Sequence, residues 1–173
     1  MADRPTGLSP VRDRRPAGPA GAPPPSRRRP TVIVSSVASD SHTWNLVYLQ
    51  LLIEELGYEV VNLGPCVPDE LLVAECREHR PALVVISSVN GHGHQDGLRV
   101  IGKLRARPEL ARTPVVIGGK LGVSGSADLE RGHDLVAAGF TAVFQDGADE
   151  MGSFHRLLAS LPGTPAPPRD ALS

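Results

Sequence analysis

The chain has 173 residues with eighteen Lys/Arg and nineteen Asp/Glu, enough for one domain of ordinary size plus tails. The balanced total hides an asymmetry, because residues 1–30 carry seven arginines against two aspartates while residues 31–161 carry ten Lys/Arg against sixteen Asp/Glu. An acidic middle with one Trp, two Tyr and three Phe is a poor nucleic-acid surface, and no stretch approaches the roughly 20 apolar residues of a membrane span.

The two ends are proline-rich and poor in large apolar side chains. Neither can bury enough surface to offset the entropy of ordering, so 1–30 and 162–173 are expected to be disordered and the domain to span 31–161. Pro16 to Pro25 holds only proline, glycine and alanine, so the upstream arginines are not followed by a signal-type apolar core. A cytoplasmic location is expected, with no nucleic-acid or membrane partner. Cys66 and Cys76 fit neither a disulfide framework nor a metal spacing and are expected to be free thiols.

In chain order, Thr31 to Val37 is a β-branched run suited to a buried parallel strand. Residues 44–57 place Leu46, Val47, Leu49, Leu51, Leu52 and Leu56 at helical spacing, and Gly57 stops the helix. Trp44 is expected to pack at its start. Tyr58 to Asn62 is a short strand. Pro68-Asp69-Glu70 opens a helix, with proline in the first turn and carboxylates at the positive end; it runs to about His79. Ala82 to Ser87 is the most apolar strand and therefore central. The glycine-rich loop Ser88 to His94 follows, then a helix from Gln95 to Arg107. Pro114 to Ile117 is a strand ending in Gly118-Gly119. A second glycine-rich loop, Lys120 to Gly125, leads to a helix capped near Ser126 and ending at Gly139. Phe140 to Phe144 is a fifth strand, and Asp149 to Leu161 a last helix.

Five alternations of strand and helix with short loops predict an α/β fold, a five-stranded parallel sheet with helices on both faces. The flavodoxin-like, Rossmann-like order 2-1-3-4-5 follows, with ligands binding at the strand ends where the first and third strands are neighbours. The loops at 36–43 and 87–94 then face each other, with 118–125 alongside. A phosphoacceptor receiver is disfavoured, because Ser87 stands where its aspartate belongs. The serines after the first strand lack a glycine to wrap a phosphate. Gly-x-Gly-x-x-Gly and the P-loop motif are absent.

What remains is Asp40-Ser41-His42. A carboxylate that takes the proton of one ring nitrogen fixes the tautomer and makes the other nitrogen a better metal donor. One histidine cannot hold a free ion tightly, so the metal is expected to arrive inside a cofactor. Asp40 has a competing role as N-cap of the following helix. His92 and His94 flank Gly93 and suggest a metal pair only weakly; His79, His133 and His155 fall in helix patterns and are expected at the surface.

Asp40-Ser-His42-Thr43-Trp-Asn45 resembles the Asp-x-His-x-x-Gly motif of cobalamin-binding domains, with Asn45 in place of the glycine. Ser87-Ser-Val89 sits where that family has Ser-x-Leu, and Gly118-Gly119 where it has its glycine pair. The Ser-Asp-x-His start, Asn62-Leu63-Gly64 and the loop Ser87 to Gly93, with Asn90 and Gly91, are similar to the small cobalamin-binding subunit of glutamate mutase (methylaspartate mutase). The resemblance covers about residues 31–155. It implies that His42 binds cobalt as axial ligand, that Asp40 bonds its other nitrogen, and that Ser41, Thr43, Asn45, Ser87, Val89, Asn90, Gly91, Gly93, Gly118 and Gly119 surround the cofactor. The displaced nucleotide tail then enters a slot between the first helix and the sheet, where the glycines leave space. It further implies adenosylcobalamin, a radical reaction begun by homolysis of the cobalt–carbon bond, and a separate large barrel-type mutase subunit that holds the small-molecule substrate, in a heterotetramer. The alternative is a corrinoid carrier for a methyltransferase or a cobalamin-sensing module; residues 1–30 offer no helical cap and the chain no DNA-binding module.

Overall fold

The computed structural model describes residues 28–122, 128–145 and 149–161. The expected tails apart from residues 28–30, the Ser126 cap and most of the loop after the fifth strand lie outside them. The elements alternate as the sequence predicts. They are β1 (Thr31–Ser36), α1 (Trp44–Glu55), β2 (Glu59–Asn62), α2 (Asp69–His79), β3 (Leu83–Ser88), α3 (Gly93–Arg105), a 3-10 turn (Pro108–Leu110), β4 (Val115–Gly119), α4 (Asp128–Ala138), β5 (Ala142–Gln145) and α5 (Glu150–Ser160). All strand pairs are parallel and the order is β2-β1-β3-β4-β5. The most apolar strand, β3, is the central one, and every residue of it is buried.

The alternation of side chains along each strand divides the core in two. Ile33, Val84, Ile86, Val115 and Ile117 face α2, α3 and α4. Val32, Val34, Leu83, Val85 and Val116 face α1 and α5. The second face matters for function, because its residues Ser87, Gly118 and Phe144 continue the same alternation to the strand ends.

Helix α1 is apolar on nearly every side, so its spacing alone does not say which side is buried. Leu46 and Ile53 are the buried pair, with Leu49, Leu52 and Leu56 packed partly against them. Val47 and Leu51 are exposed. Trp44, expected to pack, is 84% exposed. With Tyr48 they form an outer stripe spaced i, i+3, i+4, i+7.

Helix α3 starts at Gly93, two residues before Gln95. The His94 amide donates to the Leu121 carbonyl (3.1 Å), which draws the first turn beneath the β4 loop. A β-carbon at Gly93 would lie 2.8 Å from Leu121 and 2.9 Å from Ser88. Cys66 is exposed, Cys76 is buried, and both are free; burial pushes the Cys76 thiol up to about 12. Among the described residues no helix is long and apolar enough to cross a membrane.

Candidate functional site

The loop from β1 to α1 is built around Asp40, whose polar groups are all engaged. Its amide donates to Val37 O (3.1 Å), and its carbonyl accepts from the Cys66 amide (2.8 Å) and Ser36 Oγ (3.1 Å). Oδ1 accepts from the His42 amide (3.0 Å) and lies 2.6 Å from His42 Nδ1, while Oδ2 accepts from the Val89 amide (2.6 Å). The residue is 0% exposed. Burial raises its pKa, but the two backbone amides and the His42 ring outweigh burial and hold the carboxyl below its ordinary value.

An ionised carboxylate only accepts, so Nδ1 is the donor in this contact, and in the neutral ring the Nε2 lone pair is left free. The histidine side chain is 60% exposed. The loop therefore presents one oriented imidazole nitrogen to the outside, backed by a buried charge. Asp40 does not cap α1: Thr43 occupies that position, and its side chain makes no capping bond.

The loop after β3 clamps the loop after β1, as their facing positions predict. Besides the Val89 amide, Asn90 Nδ2 donates to Ser39 O (2.9 Å) and Ser39 Oγ (3.0 Å), and Ser39 Oγ donates to Asp96. Asp96 also bonds Arg99 (2.5 Å), which forks onto Asp69 of α2 at 2.7 and 3.2 Å. Burial raises the Asp69 pKa, but Arg99 and Lys103 outweigh it and lower it overall. Ser35 and Ser36 are buried and donate to backbone carbonyls. Asn62 accepts from the Gly64 amide (2.9 Å) in the turn after β2, where Gly64 has φ +81°.

Beside this loop a cavity of about 260 Å³ opens between α1, α5 and the ends of β3, β4 and β5. Of the residues singled out by motif, Asn45, Ser87, Val89, Gly118 and Gly119 line it. Asp40, Ser41, His42, Thr43, Asn90, Gly91 and Gly93 do not; Asp40 is joined to the wall by the Val89 amide. Asn45 Nδ2 donates to Ser87 Oγ (2.5 Å), and among the described residues Asn45 Oδ1 is buried without a donor. The remaining walls include Tyr48, Leu49, Val85, Val116, Phe144 and Phe154, with the two phenylalanine rings edge-to-face at 5.5 Å. Motif reading missed these walls. The alternation Val85-Ser87, Val116-Gly118 and Ala142-Phe144 is the signal that marks their strand members.

The glycine pair is dictated by the protein as well as by any ligand. A β-carbon at Gly118 would stand 3.0 Å from Phe144 O, and one at Gly119, where φ is +103°, would collide with Ser88 O. The two histidines of the β3 loop do not converge: His92 is exposed, and His94 Nε2 lies 3.4 Å from Asp134. Among the described residues no three His, Cys, Asp or Glu side chains are grouped to hold a metal ion.

A family model for the B12 binding domain matches residues 30–149. The chain belongs to the B12-binding domain family. Cobalamin is therefore its ligand class, as the Asp-x-His motif implies. This B12-binding chain is similar to glutamate mutase sigma subunit 2 of Haloarcula marismortui, 29% identical over 131 residues that make up 76% of this chain and 87% of that protein. It is 33% identical to the glutamate mutase sigma subunit of Halobacterium salinarum over 101 residues, 58% of this chain and 66% of that one. Among solved structures, a cobalamin-binding protein from Desulfitobacterium hafniense matches with a TM-score of 0.58 at 23% identity, over 74% of this chain and 58% of that one. The Vibrio cholerae chemotaxis protein CheY4 matches with a TM-score of 0.54 at 14% identity, over 76% of this chain and 98% of that one. These structural likenesses show the fold that B12-binding domains share with receivers.

Proposed function

We propose that this chain is the cobalamin-binding subunit of an adenosylcobalamin-dependent carbon-skeleton mutase of the glutamate mutase type. The observation that carries the reading is the His42–Asp40 pair, joined by the Asp40–Val89 bond to a slot walled by α1, α5 and the sheet. The residues fit the group. A single oriented imidazole suits an axial position on a metal already held by a macrocycle, and the slot offers apolar walls to a heteroaromatic tail.

His42 Nε2 would ligate cobalt, with Asp40 holding the proton on Nδ1. Ser41 and Thr43 flank the histidine on the exposed rim. Val89, Asn90, Gly91 and Gly93 belong to the clamp that fixes the loop. Asn45, Ser87, Gly118 and Gly119 line the slot for the nucleotide tail. When bound, adenosylcobalamin supplies a weak cobalt–carbon bond whose homolysis starts a radical rearrangement. The protein's own part is to bind, orient and present. A separate large subunit would hold the substrate. The names of the glutamate mutase sigma subunit relatives support this partnership and glutamate as the substrate, and the resemblance adds 3-methylaspartate as its product.

The test is a titration of the full chain with adenosylcobalamin, followed by desalting. Retention of cobalamin with the absorbance of the histidine-ligated, base-off form is expected. Glutamate is expected to turn over only once a glutamate mutase large subunit is added. Isomerase activity of the chain alone, or failure to retain cobalamin both with and without that subunit, overturns the reading.

A further inference from the structure

Ser39 sits in the turn that leads into Asp40, a turn closed by the Asp40 amide on Val37 O (3.1 Å). The residue is exposed, yet other elements reach it through three bonds. Asn90 Nδ2 donates to its carbonyl (2.9 Å) and to its Oγ (3.0 Å), and its Oγ donates to the Asp96 carboxylate. The hydroxyl has one proton to give, and it goes to a charged acceptor, the stronger kind of hydrogen bond.

Asp96 is a firm anchor for that bond. It lies in the first turn of α3, the positive end of the helix, and is 8% exposed. Its other oxygen accepts from Arg99 Nη1 (2.5 Å). Arg99 forks onto Asp69 (2.7 and 3.2 Å), and Lys103 Nζ lies 3.0 Å from the same carboxylate. Charge thus locks α2 to α3, and Ser39 ties the turn before Asp40 to that lock. Among the described residues the side-chain bonds of Asp96 go to Ser39 and Arg99, none to Asp40 or His42.

Resting on the cobalamin-binding reading above, we propose that Asp96 is a positioning residue for the axial ligand. Through Ser39 it fixes the turn that carries Asp40, and with it the direction in which the His42 ring is presented to cobalt. Asp40 decides which nitrogen of His42 carries the proton; the Asp96–Ser39 bond decides where that pair stands. A placement held to about 0.5 Å separates an imidazole that ligates from one that only lies nearby.

The experiment titrates the full chain and its variants with adenosylcobalamin. It reads affinity and the share of bound cofactor with the histidine-ligated, base-off absorbance, without turnover. Ser39→Ala removes the hydroxyl and leaves the α2–α3 ion pairs whole. It and Asp96→Ala are each expected to weaken binding about tenfold and to lower the ligated share. The double variant is expected to stay within about twofold of the weaker single one, because both substitutions remove the same bond. Asp69→Asn breaks the ion cluster at its far end without touching Ser39. It is expected to lower the urea midpoint while keeping the wild-type spectrum and an affinity within about twofold of wild type. Ser39→Ala and Asp69→Asn decide the matter if Asp96→Ala does not fold. A folded Ser39→Ala with wild-type affinity and spectrum, losses that add in the double variant, or an Asp69→Asn that loses ligation as the other two do, overturns the proposal while the cobalamin-binding reading stands. A wild type that never shows the histidine-ligated form overturns both.

Discussion

His42→Ala is expected to abolish the histidine-ligated absorbance of bound adenosylcobalamin and to weaken its binding on the order of 100-fold. The side chain is 60% exposed, so its removal leaves little cavity. The unfolding free energy should fall by only about 1 kcal/mol, reflecting the lost bond to Asp40. A spectrum unchanged in the mutant would exclude His42 as the axial ligand. A loss of stability by several kcal/mol would mean that the loop itself had collapsed, and urea denaturation at equal ionic strength separates the two results.

Asp40→Asn is expected to do more damage to the fold. Three N–H groups point at the two carboxylate oxygens, from the His42 amide, the His42 ring and Val89. An asparagine has one acceptor oxygen, so its NH2 must meet an N–H whichever way the amide is turned. Turned toward Val89, it leaves a buried donor facing a donor. Turned toward His42, it invites the imidazole to move its proton to Nε2, the nitrogen that should remain free. The expected cost is about 3 kcal/mol of stability, with cobalamin affinity reduced between about tenfold and 100-fold.

The same residue sets part of the acid limb of stability. Its folded-state pKa is lowered. Its contribution is therefore fully present above the unfolded value of about 3.9 and is lost as the pH falls through the folded value. Asp69, also lowered overall, contributes with the same sign. Below about pH 4 the wild type should lose stability steeply. Asp40→Asn should show a shallower fall from its lower starting point, measured as urea midpoints from pH 7 downward. A mutant with the wild-type slope would show that Asp40 titrates alike in the folded and unfolded chain.

The architecture was legible because β-branched runs and helical spacing alternate without a long excursion, and because β3 is apolar along most of its length. The His42–Asp40 contact was legible because a separation of two on a loop leaves few alternatives. The walls of the slot were not. Phe144 and Phe154 lie about a hundred residues beyond the motif, and their apolar character is what any core strand or helix shows. The contribution of Val89 was hidden for a different reason: its backbone amide makes the bond, and nearly any residue could supply it. The glycines were legible as positions but not in cause, since the β-carbons they lack would strike Ser88, Leu121 or Phe144 of the chain itself. The exposure of Trp44 was unreadable from a helix that is apolar all round.

That exposure gives the molecule a built-in optical reporter. Trp44 is the single tryptophan of the chain, 84% exposed and two residues beyond His42. Its indole is already hydrated in the folded state, so unfolding changes its surroundings little. A corrin seated on His42 would absorb across the indole emission and drain it by energy transfer. The intrinsic fluorescence of this chain would then follow occupancy of the site and remain nearly silent to denaturation.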